Sequence, residues 1–197
     1  MSSETRRLVF ATNNQHKATE LNAILGARFK ICTLLELGLE IDIPEPHDTL
    51  EENAREKSTT VYNLIHADCF SEDTGLEVAA LGGAPGVKSA RYAGEHGHAE
   101  KNNDKLLGEL ASQQNRKARF RTVISLIENG TEHQFEGICE GNIDWESTGS
   151  NGFGYDPIFI PTGATKSFAA MTMEEKSKYS HRKKAVEKLI SYLNQKK

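Results

Sequence analysis

The chain has 197 residues, 37% of them hydrophobic and 26% charged, with a net charge of −4 and a pI near 6.0. This is the balance of an ordinary globular protein long enough to bury a substantial core, and it is read as one domain over residues 1–197, with room for two lobes. The mild acidity argues against a protein that coats nucleic acid, and the lack of any apolar run near about 18 residues argues against a membrane span. Cys32, Cys69 and Cys139 are widely spaced with no CxxC, which argues against a disulfide framework or a structural zinc site and fits a reducing compartment. Met1–Arg7 carries charge but no apolar signal region follows, so a cytoplasmic location is expected.

Leu8-Val9-Phe10-Ala11 predicts a short buried strand, with Thr12–His16 as the turn behind it. Lys17–Ile24 predicts a helix with Ala18, Leu21 and Leu25 on one face and Gly26 as its stop, and Phe29–Thr33 predicts a second strand. Thr49 and Glu52 have capping-box spacing and open a helix to about His66, its apolar side being Leu50, Ala54, Val61, Leu64 and Ile65. A strand over Asp68–Ser71 follows, then a helix over Ala99–Leu110 carrying Leu106, Leu107 and Leu110. Phe120–Ile127 and Glu132–Cys139 predict an antiparallel hairpin turned at Asn129-Gly130, with Asn142–Trp145 extending the sheet. Pro157–Ile160 predicts one more strand, and Ser180 caps a terminal helix whose buried stripe is Ala185, Val186, Leu189, Ile190 and Leu193. This order predicts a mixed α/β domain with an elongated mixed sheet, flanking helices and two lobes around a central cleft.

Four segments carry chemistry. A strand ending in the polar turn Thr12-Asn13-Asn14-Gln15-His16 and entering a helix makes an anion site of its backbone N–H groups, and Lys17 stands in the first turn, against the helix dipole. The same residues also fit a capped helix start with a solvated lysine. Ser71-Glu72-Asp73-Thr74-Gly75-Leu76 reads as a strand ending in two acids and a glycine turn, able to present a divalent ion and a water; Glu45, between Pro44 and Pro46, is a third acid for the same ion. Ordinary turn and loop acids are the alternative. Gly152-Phe153-Gly154-Tyr155-Asp156-Pro157 lets backbone approach a flat ligand, with Phe153 stacking and Asp156 accepting from a sugar, a base or a neighbouring cation; a glycine turn with core aromatics fits as well. Lys176 with Ser180-His181-Arg182 gathers donors at a helix start, suited to a purine edge or a phosphate, in a helix that is lysine-rich throughout. His96 and His98 read as solvated loop residues, and no Ser/His/Asp or Cys/His set is evident.

Taken in order, Ala11–Asn14 with Lys17, Glu52-Asn53-Ala54, Glu72–Leu76, Leu81–Gly86, Ser89–Tyr92, Gly152–Pro157 and Ser180–Arg182 resemble the inosine triphosphate pyrophosphatase family, over about residues 7–194. The resemblance implies a homodimer and a Mg²⁺-dependent site that hydrolyses non-standard purine nucleoside triphosphates (ITP, dITP, XTP) to the monophosphate and pyrophosphate. By position, Asp73 would be the catalytic acid and a metal ligand, with Glu45 and Glu72 assisting at the metal. Thr12, Asn13, Asn14, Gln15, His16, Lys17 and Thr74 would hold the triphosphate, and Phe153, Gly154, Tyr155, Asp156, Lys176, His181 and Arg182 the nucleoside. Asn13 stands where many members have Gly, and Glu72 where many bacterial members have Asp. A non-catalytic nucleotide-binding regulator and a pyrophosphatase for modified pyrimidines are the competing readings. No nucleic-acid or membrane partner is expected.

Overall fold

In the computed structural model β1 (Arg6–Phe10) lies parallel to β2 (Phe29–Thr33) on one side and to β3 (Cys69–Val78) on the other. Residues 5–25, 29–94 and 98–195 are described; Gly26, the expected helix stop, and His96 lie outside them. The sheet has seven strands in the order β2-β1-β3-β5-β6-β7, with β4 (Pro85–Gly86) antiparallel to β3 off that path. β5 (Lys117–Glu128) and β6 (Thr131–Ile143) form the expected hairpin; Asn129 and Gly130 both have positive φ, 49° and 77°, as a tight two-residue turn requires. β7 (Phe159–Pro161) pairs antiparallel with β6. The parallel and antiparallel pairs together make the mixed α/β class that the element order predicts.

The helices are α1 (Gln15–Leu25), α2 (Leu50–Ile65), α3 (Ala99–Glu109), α4 (Met173–Ser177) and α5 (His181–Gln195). The Thr49 hydroxyl accepts from Glu52 N–H at 3.2 Å and donates to its carboxylate at 2.8 Å, so the spacing Thr-x-x-Glu does cap α2. The buried stripe of α2 agrees with expectation at Leu50, Ala54 and Val61 and departs from it elsewhere: Leu64 is 50% exposed, Ile65 is half-buried, and Asn53, Lys57 and Ser58 are buried with the stripe. A single helical face carries that stripe, and three of its members are polar, so an apolar count alone misplaces the face.

Two compact units emerge from the contacts. One comprises Met1–Asp73, Thr122–Gly137 and Arg182–Lys197; the other comprises Thr74–Arg121 and Ile138–His181. The first is cored by Leu8, Phe10, Leu21, Phe70, Ile124 and Leu189, with the rings of Phe10 and Phe70 stacked at 4.7 Å. The second is cored by Leu76, Leu106, Leu110, Phe120, Phe159 and Phe168.

Three boundaries are corrected. The strand expected over Asp68–Ser71 begins at Cys69 and runs to Val78, so Glu72 and Asp73 lie mid-strand rather than at a turn. Gly75 serves close packing there: a Cβ on it would stand 2.6 Å from the carbonyl oxygen of Gly86 on β4. The strand expected at Pro157 begins at Phe159, because Asp156–Ile158 forms a 3₁₀ turn. β6 ends at Ile143, leaving Asp144 and Trp145 outside the sheet.

Candidate active site

The first unit assembles the acids. Behind β1 the chain turns through Thr12, whose hydroxyl accepts from Asn14 N–H at 3.1 Å, and the Asn14 side chain accepts from Lys17 N–H at 3.2 Å. Local side-chain acceptors therefore start α1 two residues earlier than the apolar pattern suggests and put Lys17 in its first turn. Gln15 and His16 are exposed on that turn and Thr12 is half-buried. Asn13 does not need the freedom of a glycine, since the non-glycine residues with positive φ among those described are His66 and Asn129. Asn13 instead uses its amide to hold Ile41, donating to its carbonyl at 2.8 Å.

Lys17 reaches β3. Its Nζ lies 3.1 Å from Glu72 Oε1, with the two side chains 16% and 1% exposed. Glu72 is also gripped by Arg182, whose Nε and Nη2 donate to both carboxylate oxygens at 2.9–3.1 Å, while Nη1 bonds Glu20 on α1. Burial alone would raise the Glu72 pKa; Arg182 and Lys17 outweigh it and hold the carboxyl well below the usual range. Arg182 is raised above its ordinary value against its own burial by Glu72 and Glu20.

Asp73, the next residue, points into a second cluster. Lys57 of α2 donates to Asp73 Oδ1 at 3.1 Å and to Glu45 Oε1 at 2.5 Å. Burial would depress Lys57, but Asp73 and Glu45 keep it above its ordinary value. For Asp73 burial prevails over Lys57 and Lys17, and its pKa is raised. Its Oδ2 is buried and has no hydrogen-bond partner among the described residues. Glu45 arrives there by alternation: Leu39, Ile41 and Ile43 pack inward against Ala11, Leu34, Val61 and Cys69, and Glu45 is the next inward position. Asn53 anchors the segment two residues further on, accepting from His47 N–H at 2.9 Å and donating to His47 C=O at 3.1 Å.

The first unit thus brings Glu20, Glu45, Glu72 and Asp73 together with the cations Lys17, Lys57 and Arg182. Among the described residues no group of three or more His, Cys, Asp or Glu side chains is arranged to hold a metal. A hard divalent ion such as Mg²⁺ needs only one or two carboxylates when substrate oxygens and waters complete its shell. Glu45 and Asp73, with an acceptor oxygen left over, fit that requirement. Both oxygens of Glu72 are engaged by cations, which sets it apart from Asp73, whose Oδ2 has no partner among the described residues.

The second unit assembles the glycine-rich segment. Asp156 Oδ2 accepts from Phe153 N–H at 2.9 Å and from Lys176 Nζ at 2.7 Å, closing Gly152–Asp156 into a ring. Gly152 has φ +76°, and a Cβ on it would lie 2.0 Å from Asp156 Oδ2, so the ring excludes any other residue there. Of the three partners foreseen for Asp156, it takes the neighbouring cation. Lys176 also sits 5.4 Å from the ring centroids of both Phe153 and Phe168. Tyr155 is buried and donates to Ser89 C=O at 2.9 Å. His181 is buried with its ring stacked on Phe120 at 4.7 Å. Ser180 is buried, Gly154 has φ +63°, and Thr74 is half-buried on β3.

Lys57 and Glu20 are absent from the sequence reading. Lys57 carries a signal, as a charged residue in the stripe Leu50-Ala54-Lys57-Val61; Glu20 carries a weaker one, three residues from Lys17 on one face of α1.

Residues 8–192 match the Ham1 family. The chain is 52% identical over 188 residues to a dITP/XTP pyrophosphatase of Porphyromonas gingivalis, covering 95% of this chain and 97% of that one. It is 48% identical over 188 residues to a dITP/XTP pyrophosphatase of Christiangramia forsetii, covering 95% and 99%. The solved structure of the Staphylococcus aureus Ham1 protein superposes with a TM-score of 0.88 at 37% identity, covering 98% of this chain and all of that one. The chain belongs to the Ham1 family. The resemblance carried by the seven sequence segments is thereby borne out.

Proposed function

We propose that the chain hydrolyses non-standard purine nucleoside triphosphates, ITP, dITP and XTP, to the nucleoside monophosphate and pyrophosphate, clearing deaminated purines from the nucleotide pool. Its relatives' names support the reaction. The observation that carries the chemistry is the buried Oδ2 of Asp73, without a partner among the described residues, beside the Glu45–Lys57 pair.

Glu45 and Asp73 would hold Mg²⁺, and Glu72 is the counter-ion of Lys17 and Arg182 rather than a third ligand. When bound, Mg²⁺ supplies charge neutralisation for the triphosphate and acidifies a water. Lys57 occupies Oδ1 of Asp73 and holds the carboxylate in one orientation. Oδ2 is then the atom that takes the proton as the water oxygen bonds to the α-phosphorus. The bond from the α-phosphorus to its bridging oxygen breaks, and pyrophosphate leaves with that oxygen. The Thr12–Lys17 turn, from Thr12 through Asn13, Asn14, Gln15, His16 and Lys17, and Thr74 hold phosphate oxygens. Gly152–Asp156 and Lys176 hold the nucleoside, Phe153 by stacking. His181 and Arg182 act from behind, His181 by packing on Phe120 and Arg182 through Glu72. We place the enzyme in the cytoplasm as a homodimer. Three buried thiols and the absence, among the described residues, of a helix long and apolar enough to cross a membrane are consistent with that placement.

The test is pyrophosphate release from ITP, dITP, XTP, ATP, GTP and a modified pyrimidine triphosphate, with Mg²⁺ and with EDTA. Release from the inosine and xanthine nucleotides, abolished by EDTA, is the expected result. Binding without release would make the chain a regulator.

A further inference from the structure

Two adjacent asparagines open the buried stripe of α3, where apolar residues are expected: Asn102, Asn103, Leu106 and Leu110 are all buried. A buried amide is costly unless its hydrogen bonds are made. Successive residues on a helix diverge by about 100°, so the two side chains can serve different neighbours. Asn102 holds the loop after β4: its Oδ1 accepts from Ala93 N–H at 2.7 Å, and its Nδ2 donates to Ser89 C=O at 3.4 Å and Ala90 C=O at 3.3 Å. Asn103 holds the glycine-rich segment, its Nδ2 donating to Gly154 C=O at 3.2 Å. Reversing that amide would set two oxygens against each other, so the orientation follows from the contact. Tyr155 closes the loop of contacts by donating to the same Ser89 carbonyl that Asn102 touches. Asn103 Oδ1 has no partner among the described residues, so Gly154 is the one group this 5%-exposed side chain orders.

We infer that Asn103 is a positioning residue for nucleoside recognition, acting through Gly154 to set the turn that carries Phe153, and that Asn102 with Ser89–Ala93 forms the platform behind it. This rests on the reading that Gly152–Asp156 binds the nucleoside. It gives a role to the Ser89–Tyr92 segment, which neither the acids nor the phosphate turn uses. Gly154 has φ +63°, a conformation open to glycine, and its carbonyl is the point where Asn103 grips a turn that Asp156 closes from the other end.

The experiment compares the full chain with Asn103→Asp, which keeps the shape and removes the donor, and Asn103→Ser, which is smaller and keeps one. Calorimetry with IMP reads the nucleoside side, and inorganic tripolyphosphate with Mg²⁺ reads the phosphate side. Asn103→Asp should weaken IMP on the order of tenfold and leave tripolyphosphate unchanged, with ITP turnover lost through KM rather than kcat. Asn103→Ser should lie between wild type and Asn103→Asp, and it carries the same comparison if the aspartate variant does not fold. Equal loss for both ligands would show general damage and overturn the inference, as would unchanged IMP affinity in a wild type that binds IMP. A wild type that binds tripolyphosphate but no IMP overturns the nucleoside reading itself, and the platform with it.

Discussion

Arg182 and Glu72 form a two-pronged pair with both side chains buried, although 110 residues separate them in the chain. Removing one partner of such a pair strands the other charge. Arg182→Ala should therefore cost about 3–5 kcal/mol, a fall in Tm on the order of 10 °C by calorimetry. Glu72 keeps Lys17 as its remaining cation, which limits the loss but pulls Lys17 away from substrate. A variant with unchanged Tm and a narrowed ratio of ITP to ATP efficiency would instead make Arg182 a direct reader of the purine.

The same pair sets a pH dependence. The folded pKa of Glu72 is below its ordinary value of 4.5, so its stabilising contribution is complete above that value and is lost only as pH falls toward the much lower folded pKa. The stability gap between wild type and Glu72→Gln should hold constant from pH 8 to about pH 5 and shrink below about 4.5. Urea titrations at each pH measure it. A gap that shrinks on the alkaline side would show that the pair is not formed as described.

Lys57 separates two carboxylates that would otherwise face one another. Lys57→Met leaves Glu45 and Asp73 without their shared cation, and like charges that close resist joint ionisation. The variant should be less thermally stable in EDTA, partly rescued by Mg²⁺, and slow in turnover. Scanning fluorimetry in both buffers gives the answer; equal losses with and without Mg²⁺ would remove the metal from this cluster.

Asp73→Asn should lower kcat by at least about a hundredfold, the usual scale for a positioned proton acceptor. The fold should survive, because burial already disfavours the ionised form of Asp73 and an amide matches its shape. Near-normal turnover in a folded variant would take Asp73 out of the mechanism.

Much of the architecture is readable in the chain because its causes are local. Thr49 and Glu52 cap α2 from three residues apart, Asn129-Gly130 can take positive φ with little penalty, and Ala185, Val186, Leu189 and Leu193 repeat with the helical period and are buried as expected. Asp73, Lys17 and the Gly152–Asp156 segment also stand out locally, as residue types unusual for their surroundings. Lys57 is passed over although it is a charge within the stripe Leu50-Ala54-Lys57-Val61, because a stripe read for apolar residues skips a lysine. Glu45 was reachable by alternation from Leu39, Ile41 and Ile43, but only the packing shows that this face points inward.

The sequence by itself therefore determined the family, the order of elements and the list of charged residues near the chemistry. Only the tertiary structure decided which charges neutralise one another: Glu72 with Arg182 and Lys17, and Asp73 with Lys57 and Glu45. The physical reason is that neighbours in sequence share backbone geometry and here burial, but not the charges that surround them. Glu72 and Asp73 are consecutive, yet alternation along β3 turns them to opposite faces of the strand, one toward cations that overcome its desolvation and one toward a site where desolvation prevails.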